Sequence, residues 1–164
     1  MRIIAAIAIT ISLVGLVAAQ TPSTYDIAGR ASVIDADTVE IHGQRIRIFG
    51  VDAPEKRQPC FDADGVKWSC GQRSALLVSE FIRDRPVQCR SKDHDRYGRV
   101  VAQCWVAGVD IGEWLVSNGL AVAYRRYASD YIGAEQGAKN RHAGIWSGRF
   151  DLPWEWRRQQ REGQ

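Results

Sequence analysis

Apolar and β-branched positions set the rhythm of residues 25–51. Ile27, Val33, Thr38-Val39-Glu40-Ile41 and Arg45-Ile46-Arg47-Ile48 alternate with polar neighbours, the period of half-buried strands. His42-Gly43 interrupts the run and predicts a hairpin turn, so three strands in a meander are expected. Residues 52–70 lose the pattern and are rich in Pro, Gly, Asp and Lys. Irregular stretches of that length are usually functional or stapled. From 71 to 83 the period changes: Ala75, Val78 and Ile82 share one helical face, and Asp84-Arg85-Pro86 ends it. Strands follow at 87–90 and 100–106, around a loop at 91–99, and Ala107-Gly108 turns the chain. Residues 111–118 form a short helix with Gly119 at its C′ position, and 130–143 another that ends at Gly144. Phe150-Asp151-Leu152-Pro153-Trp154-Glu155-Trp156 is expected to run over the surface, with Trp154 and Trp156 packed onto the domain. No repeat or low-complexity tract appears. Five strands and about three helices, the first helix between strands three and four, make an α+β chain in the order of an OB-type Greek-key β-barrel. That fold hosts many tasks and does not settle function.

The start of the chain has a different character. Met1-Arg2 is basic, residues 3–17 are apolar without charge, and Val17-Ala18-Ala19 places small residues before Gln20. That is the form of a secretory signal with its cleavage site. The alternative is an uncleaved anchor, but the run is shorter than the ~20 residues a spanning helix needs. The expected organisation is a signal at 1–19, a flexible lead at 20–24, one domain at 25–149 and a Trp-rich basic tail at 150–164. A length of 164 residues suits one domain with a real core. Export to the periplasm or medium, no membrane contact after cleavage and a monomer without a stable protein partner are the corresponding expectations.

The net charge of +3 drops by one with Arg2 and does not by itself argue for nucleic acid. Its distribution says more: Arg45/Arg47, Arg96/Arg99, Arg125/Arg126 and Arg157/Arg158/Arg161 form clusters that could steer a polyanion. The tail cluster reads better as a solvated surface. Four cysteines behind an export signal suggest disulfides. Of the three pairings they allow, Cys60–Cys70, closing a local loop, and Cys89–Cys104, joining neighbouring strands, are favoured; reduced buried thiols are the alternative. No Cys-x-x-Cys occurs and His42, His94 and His142 are scattered, which argues against a zinc site.

The chemistry gathers in Val33-Ile34-Asp35-Ala36-Asp37-Thr38 and Arg47-Ile48-Phe49-Gly50-Val51-Asp52-Ala53-Pro54-Glu55, with Asp95-Arg96-Tyr97-Gly98-Arg99 further on. Any one of these aspartates alone reads as a turn or cap residue. As a set they differ. Asp35 and Asp37, two apart, point to the same side of an extended strand, and Asp52 can return beside Asp37. Converging carboxylates repel unless a cation lies between them, and a hard ion takes such oxygen ligands. Arginine offers phosphate a planar fork that keeps its charge.

Together these segments resemble the thermonuclease (staphylococcal nuclease) family, from about Tyr25 to Trp146. The resemblance implies an OB-type fold and a Ca²⁺ site at Asp37, Asp52 and the backbone carbonyl of Ala53, where many relatives carry Thr. It implies Arg47 and Arg99 on the scissile phosphate and Glu55 orienting or deprotonating the attacking water. Arg96 and Tyr97 match the site of a terminal phosphate. Tyr127 matches a base-stacking tyrosine, with Tyr124 the alternative if a one-residue gap shifts the register. The chain departs from the family pattern in residues 56–70 and in the Trp-rich tail. The implied function is a secreted Ca²⁺-dependent phosphodiesterase that cuts DNA and RNA with little sequence preference and leaves 3′-phosphate ends. Two rivals stand beside it: an OB-fold module that binds nucleic acid or another polyanion without cleavage, and an accessory protein of envelope or polysaccharide metabolism with incidental nuclease activity.

Overall fold

Alternation along residues 31–48 becomes a three-stranded meander: β2 (Ala31–Asp35), β3 (Thr38–Ile41) and β4 (Gln44–Ile48), with β1 (Ile27–Gly29) just before it. The structure, a computed structural model, describes residues 25–163. The expected signal and lead lie outside the described residues. Ile41 stands opposite Gln44, so His42-Gly43 is a two-residue loop. Both have positive φ, 52° and 78°, which a type I′ hairpin requires. After β5 (Val51–Asp52) the chain makes a small hairpin, β6 (Pro59–Phe61) and β7 (Lys67–Ser69), then helix α1 (Cys70–Ile82). A long hairpin follows, β8 (Val87–His94) and β9 (Val100–Val106), and β10 (Val109–Asp110) leads into α2 (Ile111–Ser117). The rest is β11 (Val122–Ala123), α3 (Ile132–Asn140), a 3₁₀ turn (Gly144–Ser147), β12 (Arg149–Phe150) and α4 (Pro153–Glu162).

The main sheet has the order β1-β8-β9-β4-β3-β2, with β10 on β9. β4 and β9 run parallel and the other pairs antiparallel. Its two outer strands are one residue apart in the chain, joined by Arg30, so the sheet must curl until its edges approach. The expected closed five-stranded barrel is therefore corrected to a curled, open sheet: β1 spends its three residues pairing along β8, and no β1–β2 ladder occurs among the described residues. The helix count is corrected too, from three to four among the described residues. The fourth is α4, in the tail expected to run over the surface, with no helix expected there. Pro153 opens it, Glu155 lies in its first turn and Arg161 in its last. Each suits that helix end, through fixed φ or the helix dipole.

The sheet's inner face carries Val39, Ile41, Ile46, Ile48, Ala102, Cys104 and Val106, all buried. Val78 and Ile82 of α1 and Ile111, Leu115 and Val116 of α2 cover it. Asp110 caps α2 by accepting from the Glu113 N–H at 3.1 Å, and Gly119, at φ 63°, takes the left-handed position after the helix. A second cluster joins Cys60, Cys70, Val122 and Ile145 to Trp68, Trp146, Phe150, Leu152 and Trp154. Here residues 52–70, expected to lack structure, form the β6–β7 hairpin, and β12 adds a third strand to it. Both favoured disulfides are present, Cys60–Cys70 and Cys89–Cys104. Cys89 and Cys104 are register partners on β8 and β9. No helix among the described residues is long and apolar enough to cross a membrane.

Candidate active site

The meander places an acid, an arginine and a second acid around one point. β2 ends at Asp35, so Asp37 stands in the turn before β3 rather than beside Asp35 in an extended strand; that expectation is corrected. The turn is pinned because Ile48 N–H donates to the Asp37 carbonyl at 2.9 Å. Arg47 lies opposite Thr38 across β3–β4, next to Asp37. Its Nη1 donates to Asp37 Oδ1 at 3.2 Å and its Nη2 to Asp52 Oδ1 at 2.7 Å. Asp37 also accepts from the Ala53 N–H at 2.9 Å and the Thr38 hydroxyl at 3.1 Å. Asp52 follows only four residues after Ile48 and is fixed by pairing with Val122 of β11. Its side chain is fully buried.

Asp52 has a second cationic partner that comes from the other end of the chain. Arg157 of α4 donates from Nη2 to Asp52 Oδ2 at 2.8 Å and from Nη1 to Asp52 Oδ1 at 3.2 Å. The same Nη1 reaches Glu55 Oε1 at 2.7 Å. Three acids, Asp37, Asp52 and Glu55, and two arginines thus share one network centred on the buried Asp52, in which each planar guanidinium serves two carboxylates at once.

The electrostatics follow from burial and crowding. Burial pushes the Asp52 carboxyl above its ordinary range; the Arg157 hydrogen bond opposes this and the Asp37 charge adds to it. Asp35 is raised by burial first, then by Asp37 and Glu55. Burial disfavours charge on Arg47, but Asp37 and Asp52 outweigh it and its proton is held more tightly. Arg157 follows the same pattern through Asp52 and Glu55.

A cavity of about 580 Å³ opens over this network. Asp35, Asp37, Arg47, Ala53, Glu55, Arg99 and Arg157 line it, with Arg96, Tyr97, Tyr124, Arg126, Tyr127 and Arg161 around it. The sequence-expected residues therefore meet at one place. Arg99 is engaged by Asp95, Nε to Oδ2 at 2.7 Å and Nη2 to Oδ2 at 2.6 Å. Those bonds, with backbone N–H groups of Arg99 and Tyr97, hold the Asp95 carboxyl low despite its desolvation. Tyr97, 70% exposed, lies under the Arg96 guanidinium at 4.9 Å. Tyr127 is 64% exposed. Tyr124 instead stacks on Trp154 at 5.3 Å, which commits it to holding α4 in place.

Sequence reasoning missed Arg157 and Arg161. The signal was present, since Pro153, Glu155 and Arg161 mark a helix from start to finish, but the tail's arginines read as a solvated cluster.

Among the described residues, no group of three His, Cys, Asp or Glu side chains converges to hold a metal ion. The donor chemistry nevertheless fits a hard one. Asp37 and Asp52 offer only oxygen, they already share one cationic partner in Arg47, and their mutual repulsion is relieved by positive charge. Backbone carbonyl and water complete such shells in general.

Comparisons with known proteins bear on the family of the chain. The family model described as "Staphylococcal nuclease homologue" matches residues 45–148. A relative named "Succinoglycan biosynthesis protein ExoI", from Rhizobium meliloti (strain 1021), is 42% identical over 142 residues, 81% of this chain and 74% of the relative. An "Uncharacterized endonuclease" of Escherichia coli is 31% identical over 141 residues, 80% of this chain and 86% of the relative. A "Probable staphylococcal-like nuclease CAN1" of Oryza sativa subsp. japonica is 30% identical over 122 residues, 73% of this chain and 34% of that longer protein. On the matched span and on the identity to these relatives, the chain belongs to the staphylococcal nuclease family.

Proposed function

We propose that the protein is an exported, Ca²⁺-dependent phosphodiesterase that hydrolyses DNA and RNA with little sequence preference and leaves 3′-phosphate ends. The observation that supports this most is the Arg47 guanidinium between Asp37 and Asp52 on the floor of a cavity that Glu55 and Arg99 also line. Arg47 and Arg99 are the phosphate-binding pair. Each presents fixed positive charge to a phosphorus that gains negative charge on the way to five-coordination, and such preorganised charge is typically the largest catalytic contribution. For Arg99 this means sharing its fork between Asp95 and the substrate. Glu55, 36% exposed, orients the attacking water and accepts its proton. Asp37, Asp52 and the Ala53 carbonyl are the residues to hold Ca²⁺, which when bound adds positive charge at the phosphate. Tyr127, exposed at the rim, offers a stacking face that accepts any base, and Arg96 with Tyr97 offers a place for a terminal phosphate. The apolar start of the chain and the two disulfides support export.

A second reading rests on one observation, the 42% identity to a relative named for succinoglycan biosynthesis. On that reading the protein serves polysaccharide production and its cleavage of nucleic acid is incidental. One assay separates cleavage from mere binding: purified protein with plasmid DNA and with RNA, with Ca²⁺ and with chelator. Degradation that needs Ca²⁺ is expected. Full activity in excess chelator removes the metal from the proposal, and tight binding without cleavage under any divalent ion favours a binding module.

A further inference from the structure

The two segments expected to depart from the family pattern, residues 56–70 and the tail, are built onto each other. β12 pairs with β6, Arg149 opposite Phe61 and Phe150 opposite Cys60. Cys60 is bonded to Cys70 at the start of α1. Gln58, 1% exposed, is the hinge-pin of the arrangement. Its Oε1 accepts from the Glu55 N–H at 3.2 Å and its Nε2 donates to the Asp151 carbonyl at 2.6 Å. One buried side chain thus ties the loop that carries Glu55 to the segment that leads into α4. Trp154 stacks on Tyr124 one turn before Arg157. α1 closes on the same loop from behind: a Cβ at Gly71 would come within 2.1 Å of the Glu55 carbonyl, so glycine is needed for that approach.

The outcome of this construction is the placement of one guanidinium. Arg157 takes both oxygens of a carboxylate that is 0% exposed and, from the same nitrogen, one oxygen of Glu55. Exposed ion pairs of long side chains contribute little, because ordering them costs entropy. This one is different: Arg157 is 30% exposed and its main partner is fully buried. Glu55 stands on a half-exposed side chain, and among the described residues Arg157 is the one group that hydrogen-bonds its carboxylate. We propose that Arg157 is a positioning residue for hydrolysis: from α4 it clamps Asp52 and Glu55 to each other and fixes the direction in which the Glu55 carboxylate faces the phosphate-binding arginines. The role rests on the phosphodiesterase reading, and Arg157 acts through Glu55 rather than on the phosphate.

The test uses the full mature chain with Arg157→Gln, Arg157→Lys and Glu55→Gln. In cleavage of a labelled oligonucleotide, Arg157→Gln should lower kcat about 10–100-fold, the usual effect of losing a group that orients a catalytic one, with KM little changed. Arg157→Lys should recover part of the loss, since an ammonium can still lie between the two carboxylates. A folded Arg157→Gln protein with the parent kcat overturns the proposal, and so does a loss confined to KM, which would make Arg157 a substrate-binding group. A second measurement needs no turnover: thermal unfolding without divalent ions of the parent, the two Gln variants and their combination. Arg157→Gln should lower the midpoint less in the Glu55→Gln background than in the parent; equal shifts mean no clamp and overturn the proposal. A parent that cuts nothing removes the phosphodiesterase reading and the catalytic role with it, whatever the unfolding shows. A parent that cuts while Arg157→Gln is indifferent removes this proposal alone.

Discussion

Arg47 and Glu55 carry different burdens although both face one cavity. Arg47 neutralises two acids in the resting protein and, in the proposed reaction, offers its fork to phosphate. Lysine keeps the charge and loses the planar fork. Arg47→Lys should therefore leave a folded protein, by circular dichroism, whose turnover falls by roughly 10²-fold. Turnover at the parent rate would remove Arg47 from the phosphate. Glu55→Gln keeps size and removes the charge that, in the proposed reaction, accepts the water's proton. Loss of such a group typically costs about 10²–10⁴-fold in rate, while Ca²⁺-dependent binding of a nucleoside 3′,5′-bisphosphate should survive, because Asp37, Arg47, Asp52 and Arg99 are untouched. Measured on one preparation, unchanged cleavage clears Glu55 of the role. Legibility at this scale follows sequence distance. Asp37, Arg47, Asp52 and Glu55 fall within one hairpin and its exit, so their types and spacing could be read together. Arg157 meets Asp52 across a separation of 105 residues, and nothing local announces that meeting.

Elements decide whether those side chains are held still, and α3 shows how. Glu135 in its first turn is 4% exposed and accepts from the Ala123 N–H of β11 at 3.1 Å, from Arg125 at 2.7 Å and from Lys139 at 2.9 Å. β11 in turn pairs with the strand of Asp52. Burial would raise the Glu135 carboxyl, but Lys139, Arg125 and the Ala123 N–H outweigh it and hold it below its ordinary 4.5. A depressed carboxylate stabilises the fold fully above its unfolded value and loses that contribution as pH falls through the folded one. Glu135→Gln should thus unfold at lower temperature than the parent at pH 7, and the gap should shrink steadily once pH drops below 4.5. A gap that stays constant through the acid range would show that Glu135 acts by shape and not by charge. The meander and the His42-Gly43 turn were readable because period-2 alternation and positive-φ turn residues are local signals. Residues 56–70 were not, because β6 and β7 are short and gain their order from a disulfide and from β12, which arrives about ninety residues later in the chain.

At the scale of the whole molecule, the two disulfides serve different parts of the design. Cys89–Cys104 crosses β8 and β9 within the main sheet, whose ladder and core already hold those strands together. Cys60–Cys70 fastens β6 to the start of α1, and through β6 it holds β12, α4 and Arg157. The two bonds close loops of similar length, with separations of 10 and 15 residues. Chain entropy therefore assigns them similar contributions, about 2–4 kcal/mol each. Their effects on turnover should differ. A Cys60→Ser, Cys70→Ser chain should lose stability about as much as a Cys89→Ser, Cys104→Ser chain, because both release a comparable restraint on the unfolded state. Only the first should lose kcat well beyond its loss of folded protein, because it loosens the platform that brings Arg157 to Asp52 and Glu55. The check is urea unfolding and oligonucleotide cleavage on both pairs, with activity expressed per folded molecule. If the two variants cut at the same rate per folded molecule, the small sheet is a stabilising appendage and the site is assembled by the main sheet alone.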